Sequence, residues 1–129
     1  MSPVKILMID DDRELCQELS EILTEEDYAV SMAHDGIAGK DLAETVDYDI
    51  LLLDLRLPGV NGLEILRSVR ERGGKKAVIV ISGSPLESNL LMPGGNGSPE
   101  EVLRLADRVI HKPFDVSELL AAIRTLAGR

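Results

Sequence analysis

The polar groups of this chain that could do chemistry stand directly behind short apolar runs. Asp10-Asp11-Asp12 follows Ile6-Leu7-Met8-Ile9, Asp54 follows Ile50–Leu53, Ser82 follows Ala77–Ile81, and Lys112-Pro113 follows Arg108–His111. Clustered carboxylates repel one another and raise each other's pKa unless a cation joins them. Carboxylates with no thiolate and no second nearby histidine form a hard oxygen donor set, which suits Mg²⁺ better than Zn²⁺. Mg²⁺ keeps few protein ligands and fills its remaining positions with water or phosphate oxygens, so the set fits a site that receives a phosphoryl group. A carboxylate is a competent nucleophile for that transfer. A lysine and a metal would offset the charge of the transferred group, and a hydroxyl would donate to one of its oxygens.

Each residue also has a plainer role. Asp12 alone reads as a helix cap. Ser82 alone would be a turn residue, Lys112 a solvated charge and Arg56 an exposed loop residue. His34 and His111 read as surface or turn residues, and Cys16 as a small buried residue on an amphipathic helix. The joint placement behind four different runs is what argues for a site.

Those runs define the elements that must position it. Val4–Ile9, Tyr28–Ala33, Ile50–Leu53, Ala77–Ile81 and Arg108–His111 read as strands, and Ile50–Leu53 is apolar at every position, as a central parallel strand covered on both faces should be. Leu15, Cys16, Leu19, Ile22 and Leu23 form one helical stripe. Ile37–Val46 is a weaker helix, and Gly62–Arg72 is a helix ended by Gly73-Gly74. From Gly83 to Gly97 the periodicity breaks, with four Gly, two Pro and two Asn. Ser98-Pro99-Glu100-Glu101 restarts helix with a capping-box pattern, running to about Ala106. Asp115 opens a last helix with Val116, Leu119, Leu120, Ile123 and Leu126 on one face. The order is (βα)₅, which predicts an α/β domain with a doubly wound parallel five-stranded sheet and helices on both faces. Ligands in such sheets bind outside the carboxyl ends of the strands, where the polar groups converge.

The bulk composition narrows the setting. A chain of 129 residues suits one domain, expected here over 1–129 with a loop-rich insertion at about 83–97. The net charge of −9 disfavours direct nucleic-acid binding. Apolar runs such as Ala77–Ile81 are far too short to span a bilayer, and the start does not read as a secretory signal. The single cysteine excludes an internal disulfide and fits a reducing, cytoplasmic compartment.

Four segments resemble the receiver domain of two-component response regulators, in order and over nearly the whole chain: Ile6–Asp12, Leu52–Gly62 (with Asp54-Leu55-Arg56-Leu57-Pro58), Val80-Ile81-Ser82-Gly83 and His111-Lys112-Pro113-Phe114. The resemblance implies a flavodoxin-like fold with strand order 2-1-3-4-5. It implies that Asp54 is the phosphoacceptor and that Asp11 is the direct Mg²⁺ ligand. Asp10 would bind the metal largely through water, and the backbone carbonyl of Arg56 would be a third ligand. Ser82, Gly83 and Lys112 would contact the phosphoryl group, and Lys112-Pro113 would be cis. The donor would be a sensor histidine kinase or a histidine phosphotransfer protein, the output partner is left open, and the chain would catalyse only its own phosphorylation and dephosphorylation.

Two features depart from the family pattern. Val109 stands where an aromatic residue usually sits, three residues before the lysine, and the 83–97 segment is longer than usual. Ending one helix after the fifth strand, the chain reads as a stand-alone receiver that signals by contact. The alternatives are a receiver fragment of a larger regulator or hybrid kinase, and an aspartyl-phosphate phosphatase. The last usually needs a second Asp two residues past the nucleophile, where Arg56 stands.

Overall fold

The structure, a computed structural model, describes residues 3–83 and 99–128. Strand and helix alternate through them: β1 (Lys5–Ile9), α1 (Arg13–Glu25), β2 (Ala29–Ala33), α2 (Gly36–Thr45), β3 (Ile50–Asp54), α3 (Gly62–Arg72), β4 (Ala77–Ser82), α4 (Pro99–Leu105), β5 (Arg108–His111) and α5 (Val116–Ala127). This is the expected (βα)₅ order. β3 and β4 each run one residue further than the apolar pattern predicts. The parallel ladder continues to pair Asp54 with Ile81 and Ser82 with His111, so both polar residues end strands and do not begin loops. The loop-rich stretch expected at 83–97 lies, beyond Gly83, outside the described residues, as does Ser98 of the expected capping box.

All five strands are parallel, in the order β2-β1-β3-β4-β5. Side chains alternate across the sheet with period two. Leu7, Ile9, Leu51, Leu53, Val78 and Val80 pack with Ala43 of α2, Leu63, Leu66 and Val69 of α3, and Val102 of α4. Ile6, Met8, Ile50, Leu52, Ile79 and Ile81 pack on the other side with Cys16, Leu19 and Leu23 of α1 and with Leu119 and Ile123 of α5. Both faces are therefore covered, and each buried aliphatic side chain contributes about 1.5–3 kcal/mol of transfer free energy.

Two glycines set how the loop after β3 is held. A Cβ on Gly62 would lie 2.6 Å from the Asp54 carbonyl oxygen, so only glycine lets α3 start this close to the end of β3. A Cβ on Gly36 would lie 2.4 Å from backbone atoms of Val60, and the Gly36 N–H donates to the Pro58 carbonyl at 2.7 Å. The start of α2 is thereby fastened to the loop that follows Asp54.

On the far side, arginines of α3 position α4 and β5. Arg67 donates to both carboxylate oxygens of Glu101, at 2.8 and 2.7 Å. Arg70 reaches the carbonyls of Leu105 and Lys76 and the Asp107 carboxylate, which also accepts from the Val78 N–H. Val109 is half-buried and packs with Leu105 and Ala106 against the same core layer.

The end of α1 yields a stability test. Asp27 follows the helix at φ 69°, and the Tyr28 N–H bonds back to the Leu23 carbonyl at 3.0 Å, the closing bond of a Schellman motif. A side chain is disfavoured in this left-handed conformation and glycine is not. Asp27→Gly should raise stability by about 0.5–1 kcal/mol, seen as a higher urea midpoint at unchanged slope.

Candidate functional site

Three strands deliver carboxylates and a hydroxyl to one end of the sheet. Asp10 follows β1, Asp54 ends β3 and Ser82 ends β4, and these are the buried polar residues of the described chain, at 5%, 6% and 1% exposure. Asp11 is exposed beside them. One carboxylate oxygen from each of Asp10, Asp11 and Asp54 lies within 4.8 Å of the others, a spacing at which a single cation could bridge them. The donors are all hard oxygens, so the set fits a divalent cation such as Mg²⁺ or Ca²⁺ and is unsuited to a thiophilic metal.

Lys112 reaches this group from the loop after β5. Its ammonium is 2.7 Å from Asp10 Oδ2 and 3.7 Å from Asp54 Oδ2. Its own N–H donates to the Ser82 carbonyl at 2.7 Å, which continues the β4–β5 ladder, and the Lys112-Pro113 bond is cis. Burial alone would lower the Lys112 ammonium. The hydrogen bond and charge of Asp10, with the charge of Asp54, outweigh it and hold the ammonium above its ordinary range. Gly83 is exposed next to Ser82, with the Lys112 side chain 3.8 Å from where a Cβ would stand.

Asp10 is held on every polar atom. Its N–H donates to the Ala33 carbonyl, Oδ1 accepts from the Asp12 N–H at 2.9 Å, and Oδ2 accepts from Lys112. Its carbonyl lies 3.2 Å from His34 Nδ1 and 3.6 Å from the Cys16 sulfur. Asp12, by contrast, caps α1: its carboxylate accepts from the Leu15 N–H at 3.0 Å. Asp54 Oδ1 accepts from the Arg56 N–H at 3.0 Å, and Arg56 is exposed at the mouth of the pocket.

The structure thus brings together Asp10, Asp11, Asp54, Ser82 and Lys112. His34 lies in the bend after β2, in keeping with a turn residue, and its ring also meets the Asp10 carbonyl. Cys16 is buried as expected, and burial raises its thiol to about 11, but it also lies against that carbonyl. Neither contact had a signal in the sequence, because the residues meet only once β1, β2 and α1 pack together.

A model of the response regulator receiver domain matches residues 6–124. The chain belongs to that family. It is 37% identical over 127 residues to the response regulator ArlR of Staphylococcus epidermidis, and over 128 residues to ArlR of Staphylococcus aureus. Those matches cover 96% and 97% of the chain, but the chain spans only 52% and 53% of those relatives. Among solved structures, a CheY-like receiver domain protein from Methanospirillum hungatei superposes with a TM-score of 0.85 at 26% identity, covering 98% of this chain and 96% of that one. The response regulator TrrA from Thermotoga maritima superposes at 0.78 with 25% identity, covering 95% and 98%. No helix among the described residues is long and apolar enough to cross a membrane.

The electrostatics of the receiver pocket carry a pH dependence. Burial raises the Asp54 carboxyl from its ordinary 3.8 to about 6, the negative charge of Asp10 adds to that, and the Arg56 N–H and Lys112 oppose it. The folded metal-free protein therefore holds this proton more tightly than the unfolded chain. That contribution to stability is complete below about pH 4 and is lost as pH rises through about 6. Asp54→Asn should stabilise the metal-free protein at pH 7 by on the order of 1–2 kcal/mol, a figure discounted because the pocket opens to solvent. The advantage should vanish near pH 4, as followed by urea unfolding in the presence of a chelator.

Proposed function

We propose that this receiver takes a phosphoryl group on Asp54 from a phosphohistidine, borne by a sensor histidine kinase or a histidine phosphotransfer protein, in the cytoplasm. The observation that carries the reading is a buried carboxylate at the end of the central strand, with a bridgeable pair of carboxylates on one side and Lys112 on the other. Asp10, Asp11, Asp54 and the backbone carbonyl of Arg56 would hold Mg²⁺. When bound, the ion offsets the charge of the incoming group and of the carboxylates. The relative TrrA is solved in complex with Mg²⁺-BeF, which supports the choice of metal.

In the transfer an Asp54 carboxylate oxygen attacks phosphorus, the bond from phosphorus to the imidazole nitrogen breaks, and the imidazole leaves with a proton from solvent. Lys112, already 3.7 Å from Asp54 Oδ2, pairs with a phosphoryl oxygen. The Ser82 hydroxyl and the Gly83 N–H donate to the others. Water later cleaves the acyl phosphate, and these are the only reactions the chain catalyses. The phosphorylated form changes which protein the receiver contacts.

Incubation with phosphoramidate and Mg²⁺ should add one phosphoryl group by intact mass. Asp54→Asn should add none, and Asp11→Ala should lose both phosphorylation and metal binding while keeping its fold. An Asp54→Asn protein labelled to the wild-type extent would overturn the assignment.

Arg56 stands two residues past the acceptor, within reach of water approaching the acyl phosphate. Arg56→Ala should speed dephosphorylation by more than about twofold, equivalent to about 0.4 kcal/mol, in a decay assay of the phosphorylated protein.

A further inference from the structure

His34 makes a contact that phosphoryl transfer itself does not use. Its Nδ1 lies 3.2 Å from the Asp10 carbonyl oxygen. A carbonyl can only accept, so Nδ1 carries the hydrogen and donates. The backbone on both sides of the residue is fixed. Ala33 before it pairs with Ile9 in the ladder and accepts the Asp10 N–H at 3.1 Å. Asp35 after it caps α2 through the Ala38 N–H at 2.7 Å, and the Gly36 N–H is fastened to Pro58. The half-buried ring thus stands on a firm mount beside the end of β1.

We propose that His34 is a positioning residue for the divalent cation: its ring holds the Asp10–Asp11 peptide so that the Asp11 carboxylate stays within reach of those of Asp10 and Asp54. The inference rests on the metal-dependent acceptor reading given above and adds to it a residue outside the ligand set. The Asp10 carbonyl and the Asp11 N–H and Cα lie in one rigid plane. A donor bonded to the oxygen of that plane therefore fixes where the Asp11 side chain begins. Asp11 needs such a hold more than its neighbours do. Asp10 is bonded through both carboxylate oxygens, and Asp54 through the Arg56 N–H. Asp11 is exposed, and none of the described residues makes a hydrogen bond or ion pair with its carboxylate. Two buried carboxylates within 4.8 Å repel it outward when no cation joins them. Its backbone is what opposes that.

The Cys16 thiol meets the same oxygen at 3.6 Å, but a thiol is a weak donor, so the imidazole supplies most of the hold. Groups behind metal ligands commonly set affinity in this way, by fixing the orientation of the ligands. The plainer role for His34 is a ring that fills space at the end of β2. That role asks for volume and not for a hydrogen-bond donor, and leucine would serve it.

The test follows urea unfolding of the intact chain over a range of Mg²⁺ concentrations at constant ionic strength. The midpoint in chelator reports the fold, and the Mg²⁺ concentration at which the midpoint rises reports affinity. His34→Leu should need at least about fivefold more Mg²⁺ than wild type for the same rise. His34→Asn carries an amide nitrogen on Cγ where Nδ1 stands, and should bind within about twofold of wild type. The Mg²⁺ concentration for half-maximal labelling by phosphoramidate should move in the same order. Should His34→Leu fail to fold, His34→Ala takes its place in the same comparison. Wild-type affinity in the variant without a donor, or an equal loss in His34→Asn, overturns the role. A wild-type protein whose midpoint does not respond to Mg²⁺ overturns instead the metal reading on which the proposal stands.

Discussion

Three carboxylates share a space under 5 Å across, and two of them belong to residues more than nine-tenths buried. At an effective dielectric of about 20, each pair of such charges repels by roughly 3–4 kcal/mol. Among the described side chains, Lys112 is the cation in contact with this group. That ammonium offsets only part of the charge of the three carboxylates. A divalent cation would offset this excess of negative charge, which adds to burial, the larger cause, in raising the Asp54 carboxyl.

Such a cluster survives only where the scaffold is rigid and strongly stabilised elsewhere. The sheet supplies that. Its central strands are buried on both faces, so no polar side chain is tolerated along them until their carboxyl ends, where Asp54 and Ser82 still belong to the ladder. Asp10 is fixed by hydrogen bonds from β2, α1 and the β5–α5 loop, which hold a repelling group in place from several directions. The glycine at the start of α3 lets that helix close tightly behind the Asp54 carbonyl.

The two sides of the pocket are built differently. Toward α2, the loop after Asp54 is tied by a short backbone bond and closely packed glycines, and the helix beside it carries an exposed isoleucine. Toward α4, polar links from Arg67 and Arg70 set the helix against α3 and the start of β4. Val109, short and β-branched, fills the core beneath α4 and has no ring to swing between two positions. No aromatic side chain stands at this place to respond to a change at Asp54.

Much of this was legible in the residues alone. Short continuous apolar runs and 3.6-period stripes placed all ten elements to within a residue or two, because burial on both faces of a parallel sheet leaves an unmistakable pattern in Ile50–Leu53 and Ala77–Ile81. Polar residues immediately behind those runs pointed to a shared rim, since every parallel strand ends on the same side. What the order of residues could not carry was distance. Only packing brings Lys112 closer to Asp10 than to Asp54 and sets His34 and Cys16 against the Asp10 carbonyl. Only packing leaves Ile37 exposed over Gly59 while Leu42 and Ala43 of its helix turn inward. Local sequence dictates which way a side chain faces along its own element, but which element it meets depends on how sheet and helices stack in three dimensions.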